Sequence, residues 1–333
     1  MPRDTRRSRH FLIQSTDTDT IDPGGVERHP LVYVGKKMKK KPGQVILPYL
    51  LIAPAFLMIG IFVLYPMVYN FILSFFDYSL ASVERPFVGL KNYVTMFHTP
   101  RFWQAVVRTG IWTLSNLVVA ILIGVGAAFL LYSGFFGSNV LKSFILIPWI
   151  LPSVITGYIF SLMMNEKAGI LTWLIRVSGL GDQNFSFFAT GRLSMVAAIM
   201  ANVWRAFPFF TLMIYAKLCT IPTDHVEAAK LEGANGIQMF GYVYNPFIKD
   251  TLYSCVFLCF IWTFNAYDIM KVMTNGGPAE STTTMSILIQ REAFSYFSLS
   301  NAATMSVFAF AIMLSVIIIA KTLASIWRKH YEK

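Results

Sequence analysis

Apolar stretches of about twenty residues, the length that spans a bilayer, recur along this chain and alternate with shorter polar segments. Six such runs occupy residues 47–69, 106–132, 144–164, 195–215, 252–270 and 302–326. A helix is the natural form for each run, because a backbone in lipid must satisfy its own hydrogen bonds. The pattern therefore predicts an all-α integral membrane protein with six transmembrane helices.

Proline and glycine modify these predicted helices. Several prolines fall within the runs, such as Pro54, Pro66, Pro148 and Pro152. They predict kinks, with neighbouring helices covering the freed carbonyl groups. Gly124 and Gly126 in the second run predict close packing against another helix.

Composition agrees with a membrane protein. Of the 333 residues, 55% are hydrophobic and 14% are charged, which is more apolar surface than a soluble domain can bury. Much of the net charge of +11 lies in the amino-terminal tail and in a lysine cluster just before the first run. These charges are interpreted as membrane anchors at the cytoplasmic surface, in contact with lipid, and not as a nucleic-acid site.

Basic residues near the ends of the runs predict the orientation, because such residues resist translocation. Lysines 36, 37, 39, 40 and 41 precede the first run, and Arg328, Lys329 and Lys333 follow the sixth. Both termini are therefore expected in the cytoplasm. Three segments would then lie outside, 78–104, 166–192 and 272–301, and two inside, the loop around Lys142 and residues 217–249.

The chain divides into two predicted parts. Residues 1–43 are rich in polar residues, proline and glycine, and are expected to form a mostly disordered, basic cytoplasmic tail. Residues 44–333 are expected to form the transmembrane domain, including a cytoplasmic loop at 221–245. The first apolar run is expected to be retained, since no small-residue cleavage pattern accompanies it.

The 221–245 loop is more organised than a simple connector. Asp224 and Glu227 have the spacing of a capping box after Pro222, which predicts a short helix over 225–231. Gly233 is placed to end that helix in a left-handed cap. A second short helix, 237–244, is expected to lead toward Pro246. The loop is thus predicted to be a helix, a tight turn and a second helix.

Two interpretations of the first short helix arise from its residues. Ala228, Ala229 and Ala234 keep it slim enough to enter a groove on another protein, and Glu227 offers a carboxylate at the rim. An amphipathic helix lying on the inner leaflet is the alternative.

The loop resembles the EAA signature of the permease subunits of bacterial binding-protein-dependent ABC importers. The signature residues are Glu227, Ala228, Ala229, Glu232, Gly233 and Ala234, followed by Phe240 and Pro246. Further segments are similar to that family in order and spacing: 49–54 with 65–66, 87–93, 147–149, 202–205 with 207–209, and 275–278. Two positions depart from its pattern, since Glu232 replaces the usual aspartate and Asp250 a usual proline.

The resemblance implies the type I ABC importer permease fold, in the bacterial cytoplasmic (inner) membrane. It implies a second permease subunit, giving a heterodimer, two ATPase subunits docked on the EAA loop, and an extracytoplasmic substrate-binding protein. ATP and Mg would be bound by the ATPases, and this chain is expected to bind no cofactor or metal and to have no catalytic residues. Likeness to maltose and glycerol-phosphate permeases favours import of a sugar or oligosaccharide by alternating access.

The substrate path is expected where aromatic faces and hydroxyl-binding groups occur inside the spans. The candidates are Asn202, Trp204, Arg205, Trp262, Asn265, Tyr267 and Asp268. Each has a structural alternative, because aromatic residues anchor span ends and asparagine often bridges helices. Arg205 and Asp268 are alternatively an ion pair or a gate.

Other function classes fit the sequence less well. Cys255 and Cys259 lie one helical turn apart without a nearby histidine, which favours packing over metal binding. No nucleotide-binding, metalloprotease or nucleophile-elbow motif occurs. An ATP-independent secondary transporter or channel is the alternative function, but only Asp268 supplies a carboxylate within a predicted span. A membrane scaffold or enzyme subunit is a third.

Overall fold

The computed structural model describes residues 42–79, 82 and 84–331. The predicted tail, 1–43, lies almost entirely outside these residues and stays a prediction. The described residues fall into two compact units that divide between Ile59 and Gly60. Helix α1, Pro42–Ile59, belongs to the first unit, and all other elements belong to the second.

Helices account for nearly all regular structure in the described residues. After α1 come a π-helical segment, Gly60–Leu64, and then α2 (Tyr65–Leu73), α3 (Lys91–Phe97), α4 (Pro100–Tyr132), α5 (Ser138–Ile150), α6 (Ser153–Met163), α7 (Ile170–Val177), α8 (Gly191–Leu218), α9 (Thr223–Leu231), α10 (Gly236–Gln238), a second π-helical segment (Met239–Tyr244), α11 (Asn245–Phe264), α12 (Asp268–Met273), α13 (Met285–Phe294) and α14 (Leu299–Tyr331). Extended pairing within the same residues consists of two isolated bridges, Phe76 with Phe87 and Ser79 with Ser298.

Among the described residues, five stretches are long and apolar enough to cross a membrane: Tyr49–Leu73, Pro100–Tyr132, Gly191–Leu218, Gly236–Phe264 and Leu299–Thr322. A bent pair, α5 and α6, brings the number to six if it forms one span. The prediction of an all-α protein with six apolar spans is therefore confirmed, with two spans differing from their expected form.

The third span is broken and not merely kinked. Helices α5 and α6 meet at an angle of 100°. Leu151, with ψ of 133°, and Pro152, with ψ of 141°, leave the helical region between them. A proline ring disfavours the helical conformation of the residue before it, so Pro152 forces Leu151 into an extended geometry and ends α5.

The fifth span ends earlier than its apolar pattern predicts. The sequence favours a helix to residue 270, but α11 stops at Phe264 and α12 begins at Asp268. The side-chain amide of Asn265 donates a hydrogen bond of 2.8 Å to the carbonyl of Ile261. Asparagine competes in this way for the backbone groups that would otherwise continue a helix.

Helices α4 and α8 form the main packing pair of the second unit. A Cβ atom on Gly124 of α4 would lie 2.5 Å from Cβ of Phe210 and 2.9 Å from the carbonyl oxygen of Phe207, both on α8. Gly124 therefore permits the close approach that the sequence predicts. Gly126 does not share this role, because a Cβ atom there would meet nothing within 4 Å.

The connecting segments gather at two ends of the second unit. At one end, Ser79 donates to the carbonyl of Phe297, and Gly191 lies against Ser281. Segments 78–104, 166–192 and 272–301 thus meet there. At the other end the Lys142 ammonium lies 4.5 Å from the ring centre of Tyr215, near the 221–245 loop. This grouping suits the predicted topology, while which end faces the cytoplasm stays a prediction.

Charged side chains brace the first of these ends, which we call the braced end. Arg101 at the start of α4 binds Glu280 through two nitrogens, at 3.0 and 2.5 Å, and Glu292 of α13 at 3.5 Å. Arg291 also donates to Glu280, at 3.2 Å. The hydrogen bond from Arg101 holds the pKa of Glu280 below its usual range. The cluster therefore fixes the 274–284 loop against α4 and α13.

Candidate functional site

The 221–245 loop folds as a helix, a left-handed turn and a second helical segment. The amide of Gly233 donates to the carbonyl of Lys230, and that of Ala234 donates to the carbonyl of Ala229 at 3.0 Å. With Gly233 at φ +78°, these two bonds form the Schellman motif that ends α9. The structure thus has the short helix and the glycine turn where the sequence predicts them.

Two local details of the loop differ from the prediction. Helix α9 begins at Thr223, so Asp224 lies inside its first turn and no side chain caps it. The capping box forms instead at the second helix, between Asn235 and Gln238, with bonds of 2.9 and 2.8 Å. That helix does not end before Pro246 but continues without a break from Gly236 to Phe264.

An apolar cluster holds the loop against the ends of α4 and α8. Val226 of α9 is buried with Met239, Val243 and Ile248 of the following helix, and Leu218 of α8 joins them. Burial of each such side chain stabilises the fold by about 1.5–3 kcal/mol. The loop is therefore part of the folded core and not a loosely attached connector.

The EAA residues divide between this cluster and the surface. Ala229 and Ala234 are half-buried and pack on the apolar cluster, so they face their own chain. The others, Glu227, Ala228, Glu232 and Gly233, are exposed.

Three apolar side chains that the sequence interpretation missed are also exposed on this loop. Leu231 is 90% exposed, Ile237 85% and Tyr242 83%. Their position in the sequence could have revealed them, because exposed apolar residues in a polar connector indicate a surface that another molecule covers. Together with the exposed EAA residues they form a mixed apolar and acidic surface.

Several predicted path residues meet around a small pocket between α5, α8 and α11. Its lining consists of Trp149, Asn202, Arg205, Ala206, Phe209, Cys259, Trp262, Thr263 and Ala266. The pocket holds about 40 Å³, room for water molecules but not for a sugar ring. Asn202, Arg205 and Trp262 were predicted from the sequence, and the other lining residues were not.

Aromatic rings form one wall of this pocket. Trp149 of α5 stacks on Phe209 of α8 with ring centres 6.3 Å apart, and Trp262 of α11 meets the same Phe209 edge-on at 5.3 Å. Trp149 and Phe209 lie within segments quoted for the family resemblance, but their convergence depends on helix packing that periodicity alone does not give. Trp204, a predicted path residue, instead packs edge-on against Phe160 of α6.

Asn202 takes the bridging role that the sequence left open for it. Its side chain is buried and donates a 2.8 Å hydrogen bond to Asn116 of α4. Asn116 in turn donates to the carbonyl of Trp112, whose indole donates to the carbonyl of Thr263 at 2.9 Å. A series of hydrogen bonds thus connects α4, α8 and α11 beside the pocket.

Arg205 and Asp268 do not form an ion pair within the part of the chain that the structure describes. The Nε atom of Arg205 is buried and has no hydrogen-bond partner there. Asp268 accepts a hydrogen bond of 2.5 Å from Ser153 at the start of α6. This contact ties α12 to the second half of the broken span.

The break after α11 separates the remaining predicted path residues. Asn265 and Tyr267 fall in the connector between α11 and α12, and Asp268 begins α12. Asp268 therefore does not continue the helix that carries Trp262. Tyr267 packs against the core cluster that surrounds Trp112 and Met270.

No group of three or more metal-ligating side chains lies together in residues 42–331 as far as the structure describes them. Cys255 and Cys259 are buried in an apolar cluster with Leu117 and Phe210, as the packing interpretation predicts. Cys259 also lines the pocket.

Comparison with known families gives a match to more than half of the chain. The family model "Binding-protein-dependent transport system inner membrane component" matches residues 120–333, well over half of the chain. The matched range includes α5, α8, the 221–245 loop and the pocket.

Curated proteins similar to this chain include two named permeases. The trehalose/maltose transport system permease protein MalF of Thermococcus litoralis is 30% identical over 284 residues, covering 84% of this chain and 94% of that protein. The sulfoquinovosyl glycerol transport system permease protein SmoG of Agrobacterium fabrum is 31% identical, covering 82% of this chain and 89% of that protein.

A solved structure shares the fold. It is a bacterial ABC transporter involved in the import of the acidic polysaccharide alginate, and one of its chains superposes with a TM-score of 0.74 at 17% identity. The match covers 85% of this chain and 96% of that chain. A second structure of an alginate transporter, in complex with its pentasaccharide-bound periplasmic protein, gives a TM-score of 0.70.

Proposed function

Because the chain belongs to the family of binding-protein-dependent transport system inner membrane components, we propose that it is the permease subunit of an ATP-driven importer of a sugar or oligosaccharide. The two named permeases in the comparison belong by name to a trehalose/maltose and a sulfoquinovosyl glycerol transport system. A saccharide therefore suits this chain as substrate, with the individual sugar left for experiment.

The 221–245 loop carries the proposal for coupling. It is fixed to the spans by the apolar cluster around Val226, yet it leaves Leu231 90% exposed beside the exposed Glu227. A rigid element with an uncovered apolar residue and an acidic rim is suited to dock on another protein. We assign the docking partners as two ATPase subunits, which would bind ATP and Mg, on the cytoplasmic side of the inner membrane.

Transport would then proceed by alternating access. Closure of the ATPases would displace α9, and because α9 is packed on the ends of α4 and α8, those helices would move with it. The pocket near Arg205 and Trp262 is lined partly by α8, one of these helices, and a second permease subunit would complete the path. An extracytoplasmic binding protein would deliver the sugar at the braced end, and both termini of this chain would lie in the cytoplasm.

The proposal is tested by ATP hydrolysis of the complex purified through a tag on this chain and reconstituted in lipid. We expect one saccharide of a panel to stimulate hydrolysis when the binding protein is present. Leu231→Asp should lower the stimulated rate or the retention of the ATPase at least tenfold, as loss of a central interface contact does. Leu231→Met, which keeps an apolar side chain, is the matched control.

Two results would contradict this function. Solute exchange by the isolated chain without ATP would move the assignment to a secondary transporter or channel. Normal stimulation and ATPase retention in Leu231→Asp would remove the loop from the docking surface.

A further inference from the structure

Helix α7 presents an apolar face that no other described element covers. Ile170, Trp173, Leu174 and Val177 are between 48% and 66% exposed, and Leu180 just beyond the helix is 79% exposed. Its opposite face is fixed, since Leu171 and Ile175 pack on the core and Thr172 donates a 3.0 Å hydrogen bond to the carbonyl of Met164.

An eight-residue helix is too short to cross a bilayer. An apolar face that includes a tryptophan is typical of a helix lying at the membrane surface. The helix directly follows α6, the second half of the broken span, and so begins where a membrane-crossing segment ends. The exposed face of α7 is therefore placed to contact lipid.

A pocket opens beside this face. It holds about 290 Å³, several times the volume of the pocket near Arg205. Its lining combines one acidic, two basic and several apolar groups: Glu166, Lys167, Ala168, Gly169, Ile170, Trp173 and Arg176.

The backbone of this pocket is held tightly. The side chain of Asn165 accepts hydrogen bonds from the amides of Lys167 and Ala168, at 3.0 and 3.1 Å. A Cβ atom on Gly169 would lie 2.4 Å from the amide nitrogen of Asn165, so only glycine fits there. Glu166 and Lys167 are thus mounted on a fixed turn, and Arg176 lies on α7.

The charged side chains of the pocket make few hydrogen bonds with the described residues. Arg176 donates one hydrogen bond of 2.7 Å to the carbonyl of Phe185, while its buried Nε atom has no partner among the described residues. Lys167 and Glu166 are exposed and make no side-chain hydrogen bond or ion pair with described residues. The pocket therefore offers two cationic groups and one carboxylate next to an apolar surface.

We propose that this pocket binds the headgroup of a phosphatidylethanolamine molecule of the surrounding membrane. Lys167 and Arg176 would bind the phosphate, since guanidinium and ammonium groups are its usual partners. Glu166 would accept hydrogen bonds from the ethanolamine ammonium group. The acyl chains would lie along the exposed face of α7, against Trp173 and Val177.

Charge complementarity selects this lipid over phosphatidylglycerol and phosphatidylcholine. Phosphatidylglycerol has no ammonium group, so Glu166 would face an anionic headgroup without compensation. The methylated ammonium group of phosphatidylcholine has no N–H to donate. This inference concerns a lipid site at the braced end and does not depend on which substrate the permease carries.

The test uses the complex purified through this chain, stripped of lipid and then given equal amounts of deuterated phosphatidylethanolamine and phosphatidylglycerol. Native mass spectrometry counts the bound molecules of each. We expect Lys167→Ala to retain about tenfold less phosphatidylethanolamine than the wild type, as loss of a charged hydrogen bond predicts. Arg192→Ala, an exposed basic residue at the same end but outside the pocket, should retain as much as the wild type.

A second variant tests the headgroup assignment. Glu166→Gln keeps the shape of the side chain and should abolish the preference for phosphatidylethanolamine over phosphatidylglycerol. Equal retention by Lys167→Ala and the wild type would overturn the site. So would a Lys167→Ala variant that keeps its lipid but loses stimulation by the binding protein, because the pocket would then be a protein-docking surface.

Discussion

The 221–245 loop and the braced end both involve contacts between segments far apart in the sequence, but different forces hold them. The loop is held by burial of Val226 and its neighbours, with its acidic residues left exposed. The braced end is held by partly exposed ion pairs between Arg101, Glu280 and Arg291. An ion pair of that kind contributes about 0–1 kcal/mol, whereas each buried aliphatic side chain contributes about 1.5–3 kcal/mol.

If the loop docks on the ATPases as proposed, the comparison indicates which end would transmit force. Apolar packing is not directional but is strong, so the loop moves together with the helices that it is packed on. The ion pairs of the braced end are weaker and set the geometry of the 274–284 loop. We therefore expect substitutions in the loop to affect transport most, and substitutions in the ion pairs to affect mainly stability.

The largest effect is expected for Gly233→Pro. Gly233 lies at φ +78° and donates its amide to Lys230, whereas proline fixes φ near −65° and has no amide hydrogen. The turn after α9 cannot form with proline. We expect transport in reconstituted vesicles to fall at least tenfold, with insertion into the membrane retained.

Gly241→Ala is the matched control for this substitution. Gly241 lies in the second helix of the same loop, and a Cβ atom there would meet nothing within 4 Å. Its transport rate should stay close to that of the wild type. Equal rates for Gly233→Pro and the wild type would show that the turn does not transmit force.

An intermediate effect is expected where α4, which runs between the two ends, meets α8. Gly124→Ala would place Cβ 2.5 Å from Cβ of Phe210, an overlap that costs about 1–3 kcal/mol. Gly126→Ala meets open space and should leave stability unchanged or slightly raised. Thermal unfolding of the two variants in the same detergent checks the difference, and equal melting temperatures would contradict the close packing.

Local signals in the sequence predict much of the loop end. A glycine after a short helix predicts the left-handed turn at Gly233, and the apolar runs predict the spans that the loop joins. The capping box was misplaced because Asp224 and Asn235 both precede plausible partners at the right spacing, and only the observed start of α9 at Thr223 decides between them.

The pocket and the braced end were harder to predict because they depend on long-range packing. Asn202 bonds Asn116, and Arg101 bonds Glu280, across 86 and 179 residues. The periodicity of a single sequence does not show which of its distant residues face each other in the fold. The break at Asn265 was also missed, since residues 265–268 contain neither glycine nor proline and apolar residues resume directly after them.

The smallest effect is expected for Glu280→Gln at the braced end. The variant loses the charge that pairs with Arg101 and Arg291, and because Glu280 is 38% exposed the loss should stay under about 1 kcal/mol. Since its folded pKa lies below the usual value of about 4.3, the carboxylate stabilises the fold above that pH, and this contribution disappears as the pH falls through the folded pKa. The melting temperatures of the variant and the wild type should therefore differ at pH 7 and converge at acidic pH.

Glu84→Gln is the control, because the side chain of Glu84 has no ion pair within the described residues, and its melting temperature should match that of the wild type at every pH. A Glu280→Gln variant that loses transport at pH 7 while its stability is intact would show that the braced end also carries force.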